Sequence, residues 1–208
     1  MQIVPKAIDE YLDSLVPEQN SVFHDMEKLA LEKNFPYVGP QVGALLAQLA
    51  RMIDAKRIIE LGSGFGYSAA WFLSGTSPDA TIMLTDFDKK NLERAEEFLG
   101  HLGYTDQIDC HTGDAIDVFR TTTDSFDIVF SDIDKEHYPE VIALAEQRLR
   151  SGGLLITDNA LWHGKVVDEE KDEATSAVFE FNCQLASHAS FDTVVLPLRD
   201  GVSVARKR

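Results

Sequence analysis

Positive charge is scarce in this sequence. Of its 208 residues, 19 are Lys or Arg against 35 Asp or Glu, and the resulting balance of −16 excludes a broad electrostatic footprint on nucleic acid or an anionic membrane. Cysteine is nearly absent as well. Cys110 beside a strand and Cys183 in a helical stretch have no C-x-x-C spacing, which excludes a zinc knuckle and a disulfide framework and leaves two packed, reduced thiols. No apolar run approaches the about 18 residues of a membrane span. The N-terminus carries Asp9, Glu10 and Asp13 in its first helical turns and lacks a basic-then-apolar leader, so a cytoplasmic protein is expected. Repeats, linkers and low-complexity tracts are missing too, and a 44% apolar content reads as a single globular domain over residues 1–208.

What is there is organised around Ile58-Ile59-Glu60-Leu61-Gly62-Ser63-Gly64-Phe65-Gly66-Tyr67-Ser68, an apolar strand running through a glycine turn into a helix. Gly62, Gly64 and Gly66 allow a close backbone approach, and the helix from Tyr67 aims free N–H groups at a ligand. The spacing is G-x-G-x-G, not the dinucleotide G-x-G-x-x-G, and Glu60 precedes the first glycine by two residues. A buried carboxylate there repels a pyrophosphate but suits S-adenosylmethionine, which brings an ammonium and a sulfonium and no phosphate. Asp86 closes the next strand about 20 residues on, where a ribose-binding acid belongs.

Along the chain, helices are predicted at 6–16, 21–33 and 41–52, as a cap (1–55) over the sheet edge or the active site. Residues 34–40, with Pro36, Gly39 and Pro40, form a loop at the site mouth. Strands at 57–61, 81–85, 107–111, 126–131 and 153–157 alternate with helices at 67–73, 89–101, 115–120 and 137–149. This is the pattern of a doubly wound α/β fold over 56–208, with ligands at the C-terminal strand ends. The acidic run 168–173 reads as a solvated loop before a helix at 174–187. Residues 191–198 and 202–205 read as two strands joined by an Asp200-Gly201 turn, with Pro197 marking an edge or bulge.

Asp132 at one strand end and Asp158-Asn159 at the next would converge in a parallel sheet as two carboxylates and an amide oxygen. Such hard oxygen ligands suit magnesium, with manganese or calcium also compatible; the lesser alternative for Asp158 and Asn159 is a turn-capping role. Lys135 is the natural general base, because a metal and a cationic cofactor nearby favour its neutral form.

Three stretches, Glu60 to Ser68, Asp132-Ile133-Asp134-Lys135-Glu136-His137-Tyr138 and Asp158-Asn159-Ala160-Leu161-Trp162-His163-Gly164, followed by Asp200-Gly201, resemble the cation-dependent O-methyltransferases that include catechol and caffeoyl-CoA O-methyltransferases. The resemblance runs from about residue 36 to the C-terminus. It implies a Rossmann-like class I methyltransferase fold, a mostly parallel seven-stranded sheet ending in an antiparallel hairpin. By position it implies Asp132, Asp158 and Asn159 as metal ligands, and Lys135 with Asp132 as the catalytic residues. For S-adenosylmethionine it implies Gly62, Gly64, Tyr67 and Ser68 at the methionine end with Glu60 beneath them, Asp86 at the ribose, Asp114 and Ala115 along the adenine, Val38 over the sulfonium, and Phe87 and Asp132 as further cofactor-binding residues. Ile133 stands where the catechol enzyme has histidine and His163 where the plant enzymes have asparagine, so the acceptor pocket, with Trp162 and Asp200 as candidates, is where this chain departs. The expected substrate is a small phenol with vicinal hydroxyls and the expected assembly a homodimer. The rival readings are a tRNA hydroxyuridine O-methyltransferase, against which the −16 charge weighs, a non-catalytic S-adenosylmethionine-binding module, and an NAD oxidoreductase, which the glycine spacing opposes.

Overall fold

A computed structural model describes residues 3–133 and 138–208. Lys135 therefore lies outside the described residues, as do Asp134, Glu136 and His137.

Seven strands form one sheet in the order β3-β2-β1-β4-β5-β7-β6, built from β1 (Arg57–Leu61), β2 (Thr81–Asp86), β3 (Ile108–Thr112), β4 (Phe126–Ser131), β5 (Leu149–Thr157), β6 (Phe191–Leu196) and β7 (Val202–Lys207). The first five pair in parallel, and β7 enters antiparallel between β5 and the edge strand β6. Interior parallel strands are covered on both faces, so they read as unbroken apolar runs whose side chains alternate between two cores. Ile58, Ile128, Phe130, Leu154 and Ile156 face one core, while Ile59, Leu61, Val129 and Leu155 face the other.

The first core is roofed by α2 (Ser21–Lys33), α3 (Gly39–Met52), α4 (Tyr67–Ser74) and α5 (Lys89–His101). The second is roofed by α6 (Ala115–Thr121), α7 (Tyr138–Arg148) and α8 (Glu173–Ser187). Helix α4 buries Tyr67 through Leu73 without a break, as a helix enclosed all round must. It can do so because Gly43 of α3 leaves room for Trp71: a Cβ at 43 would stand 2.3 Å from the indole. α1 (Lys6–Leu15) buries none of its residues and is tied down through Gln41, whose Nε2 donates to Asp9 Oδ1 and Asp13 Oδ1, each at 2.9 Å. α2 sets Phe23 against the rings of Tyr67 and Trp71, so it covers the helical layer over α4.

Three expected boundaries move. β5 starts at Leu149, where a helix was expected to end, and an unpaired stretch through Gly152, with φ +79, separates Leu149 from the pairing that resumes at Leu154. α3 starts at Gly39, since Pro40 sits comfortably in a first helical turn. The expected connection of residues 199–201 lengthens to five residues, Pro197 to Gly201, because Leu196 pairs with Val202; Gly201 N–H closes a tight turn on Leu198 O at 2.8 Å. Among the described residues no helix is long and apolar enough to cross a membrane.

Candidate active site

The C-terminal ends of β1, β2, β4 and β5 open into a cleft of about 1170 Å³. Its floor is the glycine turn after β1. Gly62 has φ +83, and a Cβ there would lie 2.4 Å from the Asp132 carbonyl oxygen, so only glycine lets the ends of β1 and β4 approach this closely. The turn is held from β2: Ser63 N–H donates to Thr85 O at 2.8 Å and Gly64 N–H to Asp86 Oδ2 at 2.9 Å. Asp86 Oδ1 also accepts from Asp88 N–H at 2.8 Å and Asn91 Nδ2 at 3.1 Å, which fixes the carboxylate at the cleft wall.

Val38, Gly62, Gly64, Tyr67, Ser68, Asp86, Phe87, Ala115, Asp132, Asp158 and Asn159 all line this cleft. Phe87 presents its ring almost freely, 68% exposed. Tyr67 donates its hydroxyl to Glu27 Oε1 at 2.7 Å, and burial followed by that acceptor pushes its ionisation far up.

Two of the expected cofactor residues do not reach the cleft wall. Glu60 alternates with Ile59 in β1 and so points to the α4 side, where it is fully buried and accepts a hydrogen bond from the Ser68 hydroxyl. Burial pushes its pKa up to about 8 against the opposing hydrogen bonds of Ser68 and Ser63, and Asp132 and Asp86 add to the rise. Its second oxygen, Oε2, has no hydrogen-bond partner. Asp114 turns instead to the N-terminus of α6, where its Oδ1 caps Ile116 N–H at 2.8 Å and Asp117 N–H at 3.0 Å, leaving Gly113 and Ala115 on the wall.

Asp132 and Asp158 follow Ser131 and Thr157, which are register partners in β4 and β5, so the two carboxylates stand level at adjacent strand ends. Asp158 is 6% exposed, and its backbone carbonyl accepts from the buried Tyr138 hydroxyl at 3.2 Å. Asn159 adopts φ +57, a left-handed conformation Asn tolerates, and its Nδ2 lies 3.4 Å from Asp158 Oδ2. Burial first, and then the charges of Asp132, Asp158 and Asp200, drive the Tyr138 ionisation up. Asp200 Oδ1 accepts from His163 N–H, while Asp200 Oδ2 is buried without a hydrogen-bond partner among the described residues. Among the described residues no cluster of three His, Cys, Asp or Glu side chains has metal-binding geometry. The set formed by Asp132, Asp158 and Asn159 has two carboxylates and an amide, which is the chemistry an oxygen-seeking cation accepts.

Sequence reasoning missed one wall. Asp172, Glu173, Ala174 and Ala177 line the cleft from the start of α8, where the acidic run was expected to be a solvated loop. The available signal was the capping pattern: Asp172 Oδ1 accepts from Thr175 N–H at 2.8 Å, which makes the end of the run a helix start. Trp162 and His163 also reach the cleft, with their rings stacked at 5.6 Å.

Comparison with known proteins agrees with this architecture. A catechol O-methyltransferase of Niastella koreensis is 29% identical over 212 residues, covering 96% of each chain. The O-methyltransferase TomG of Streptomyces achromogenes, involved in tomaymycin synthesis and solved in complex with S-adenosylmethionine, superposes with a TM-score of 0.87 at 27% identity, covering 97% of this chain and 96% of its own. A methyltransferase from Geobacter sulfurreducens superposes at 0.85 with 29% identity, covering 100% and 98%. The profile of the O-methyltransferase family matches residues 15–208, and with the strand order, the glycine turn and the carboxylate-lined cleft in place, the chain belongs to the O-methyltransferase family.

Proposed function

We propose that the chain transfers the methyl group of S-adenosylmethionine to one hydroxyl of a small phenol with vicinal hydroxyls, of catechol or hydroxycinnamate type, and that it needs a divalent metal, magnesium or alternatively manganese or calcium. The observation that carries this reading is the meeting of Asp132, Asp158 and Asn159 on the wall of the same cleft as the glycine turn. That arrangement brings a cation site and a methyl-donor site within reach of one small acceptor.

In this reading the turn amides and Ser68 hold the methionine end, Asp86 accepts from the ribose hydroxyls, Ala115 lies along the adenine, and Phe87 is a further contact of the cofactor. Glu60 acts from behind Ser68 by holding that side chain's hydroxyl in place at the methionine end. Asp132, Asp158 and Asn159 would hold the metal, which when bound supplies positive charge that acidifies an acceptor hydroxyl and orients its neighbour. Lys135 takes the hydroxyl proton, the oxygen lone pair forms the new C–O bond, and the C–S bond breaks to release S-adenosylhomocysteine. Holding both reactants in one cleft is worth about 7–11 kcal/mol of the barrier. Exposed Ile8, Tyr11 and Leu15 share one face of α1 and support a homodimer.

The test is turnover of a catechol by metal-stripped protein. EDTA treatment, or Asp158→Ala, is expected to abolish turnover while calorimetry still detects S-adenosylmethionine binding. Lys135→Ala is expected to keep both ligands, lose about 10²–10⁴-fold in rate at neutral pH and regain part of it at higher pH. Full turnover with the metal demonstrably removed would overturn the metal assignment.

A further inference from the structure

The cleft continues past Asp158 and Asn159 into an annex of about 370 Å³ that shares Phe35, Pro36, Tyr37 and Val38 with it. Arg199 stands on the annex wall. Its guanidinium lies over the Tyr37 ring, 5.6 Å from the centroid, and against the bare Cα of Gly39. A Cβ at 39 would fall 1.3 Å from Arg199 Nη1, so the missing side chain is what seats the guanidinium. Arg199 itself has φ +48, a left-handed conformation uncommon outside Gly, Asn and Asp, and such strain persists where the surroundings hold it. Among the described residues lining cleft and annex it is the only Lys or Arg, and no described carboxylate forms an ion pair with it.

We propose that Arg199 forms an anion subsite and that the methyl acceptor carries a carboxylate on the side of its ring opposite the reacting hydroxyls. This rests on the vicinal-hydroxyl phenol reading above. The guanidinium is a planar fork that matches a carboxylate with two parallel hydrogen bonds, and stacking on Tyr37 pre-orients it. Asp200, which the metal does not use, lines the same annex and repels an anion on its side. Attraction at one end and repulsion at the other therefore select one orientation, with the carboxylate at Arg199 and the hydroxyls toward Asp158 and Asn159.

The probes are 3,4-dihydroxybenzoate and its primary amide, which share their hydroxyls and planar outline and differ in charge. The readouts are the acid-to-amide ratio of kcat/KM in the presence of magnesium, and the dissociation constants of both compounds for the S-adenosylhomocysteine complex by calorimetry. The parent enzyme is expected to favour the acid by about 5- to 50-fold, between the value of an exposed ion pair and that of a desolvated charge-assisted hydrogen bond. Arg199→Gln and Arg199→Gly should both bring the ratio to about one, and Arg199→Lys should keep part of it. The glycine variant relieves the left-handed backbone, so a loss common to both variants comes from the missing charge and not from strain. A parent that treats acid and amide alike, or a preference that survives in Arg199→Gln, overturns the proposal. Arg199-dependent binding of the acid without turnover of either compound supports the subsite and refutes the vicinal-hydroxyl reading; turnover of both at equal efficiency does the reverse. Equal or undetectable binding of both compounds together with no turnover overturns the subsite as well.

Discussion

The Gly64 backbone N–H donates to Asp86 Oδ2 at 2.9 Å, so the carboxylate that ends β2 ties down the glycine turn that ends β1. One side chain thus serves two purposes: its two oxygens hold the turn and the start of α5, and Oδ2 keeps one lone pair on the cleft wall for a ligand.

Replacing Asp86 should therefore separate shape from charge. Asp86→Ala is expected to weaken S-adenosylmethionine binding by roughly 10- to 150-fold, the worth of about 1.5–3 kcal/mol for a charged hydrogen bond. Asp86→Asn keeps an acceptor for Gly64 N–H and should bind between the parent and the alanine variant. Calorimetry that finds Asp86→Ala unchanged in affinity removes the ribose assignment.

Glu60 makes the folded protein sensitive to alkali. Its pKa rises from 4.5 to about 8 on folding because burial disfavours the carboxylate, so between those values the native state binds the extra proton. Stability from this group is complete below about 4.5 and is lost as pH rises through about 8, with a slope of at most about 1.4 kcal/mol per pH unit. Thermal melts of the ligand-free protein from pH 5 to 9 should show this decline in the parent and a flatter profile in Glu60→Gln. Parallel profiles would show that another group carries the dependence.

At Gly43, packing and helix propensity oppose each other. Alanine gains up to about 1 kcal/mol of propensity in a helix, but its Cβ would lie 2.3 Å from the Trp71 ring, and overpacking of this kind costs about 1–3 kcal/mol. The melting temperature should fall in the order parent, Gly43→Ala, Gly43→Val, by about 2–4 °C for each kcal/mol lost. An alanine variant more stable than the parent would mean that α3 and α4 have room to separate.

A homodimer through α1 should show twice the chain mass in light scattering at micromolar concentration. Tyr11→Glu combined with Leu15→Glu places charge on positions that are each 59% exposed, and should yield monomer without loss of helix content. A parent protein of single-chain mass would exclude this assembly.

Some features were legible because they are local. The runs 58–59 and 128–130 are apolar without alternation, as strands covered on both faces must be, and the turn from Gly62 to Gly66 follows the first of them directly. Others depended on partners far along the chain. Nothing near Leu149 announces a strand, and its pairing with Phe126 on β4 makes it one. Residues 172–177 looked like a solvated run and a helix start, and they became a cleft wall only because α8, which roofs the second core, begins beside the cleft.

By itself the sequence determined the alternation of strands and helices, the glycine turn, and the placement of Asp86, Asp132 and Asp158 at strand ends, because hydrophobic period and turn chemistry act over a few residues. Which way Glu60 and Asp114 point, and that Arg199 rests on Gly39 and Tyr37, only the tertiary structure decided. The reason is physical: a strand's pleat chooses the face of Glu60, a helix N-terminus captures Asp114, and the order in which β7 inserts between β5 and β6 carries the 197–201 connection across to α3, about 160 residues earlier in the chain.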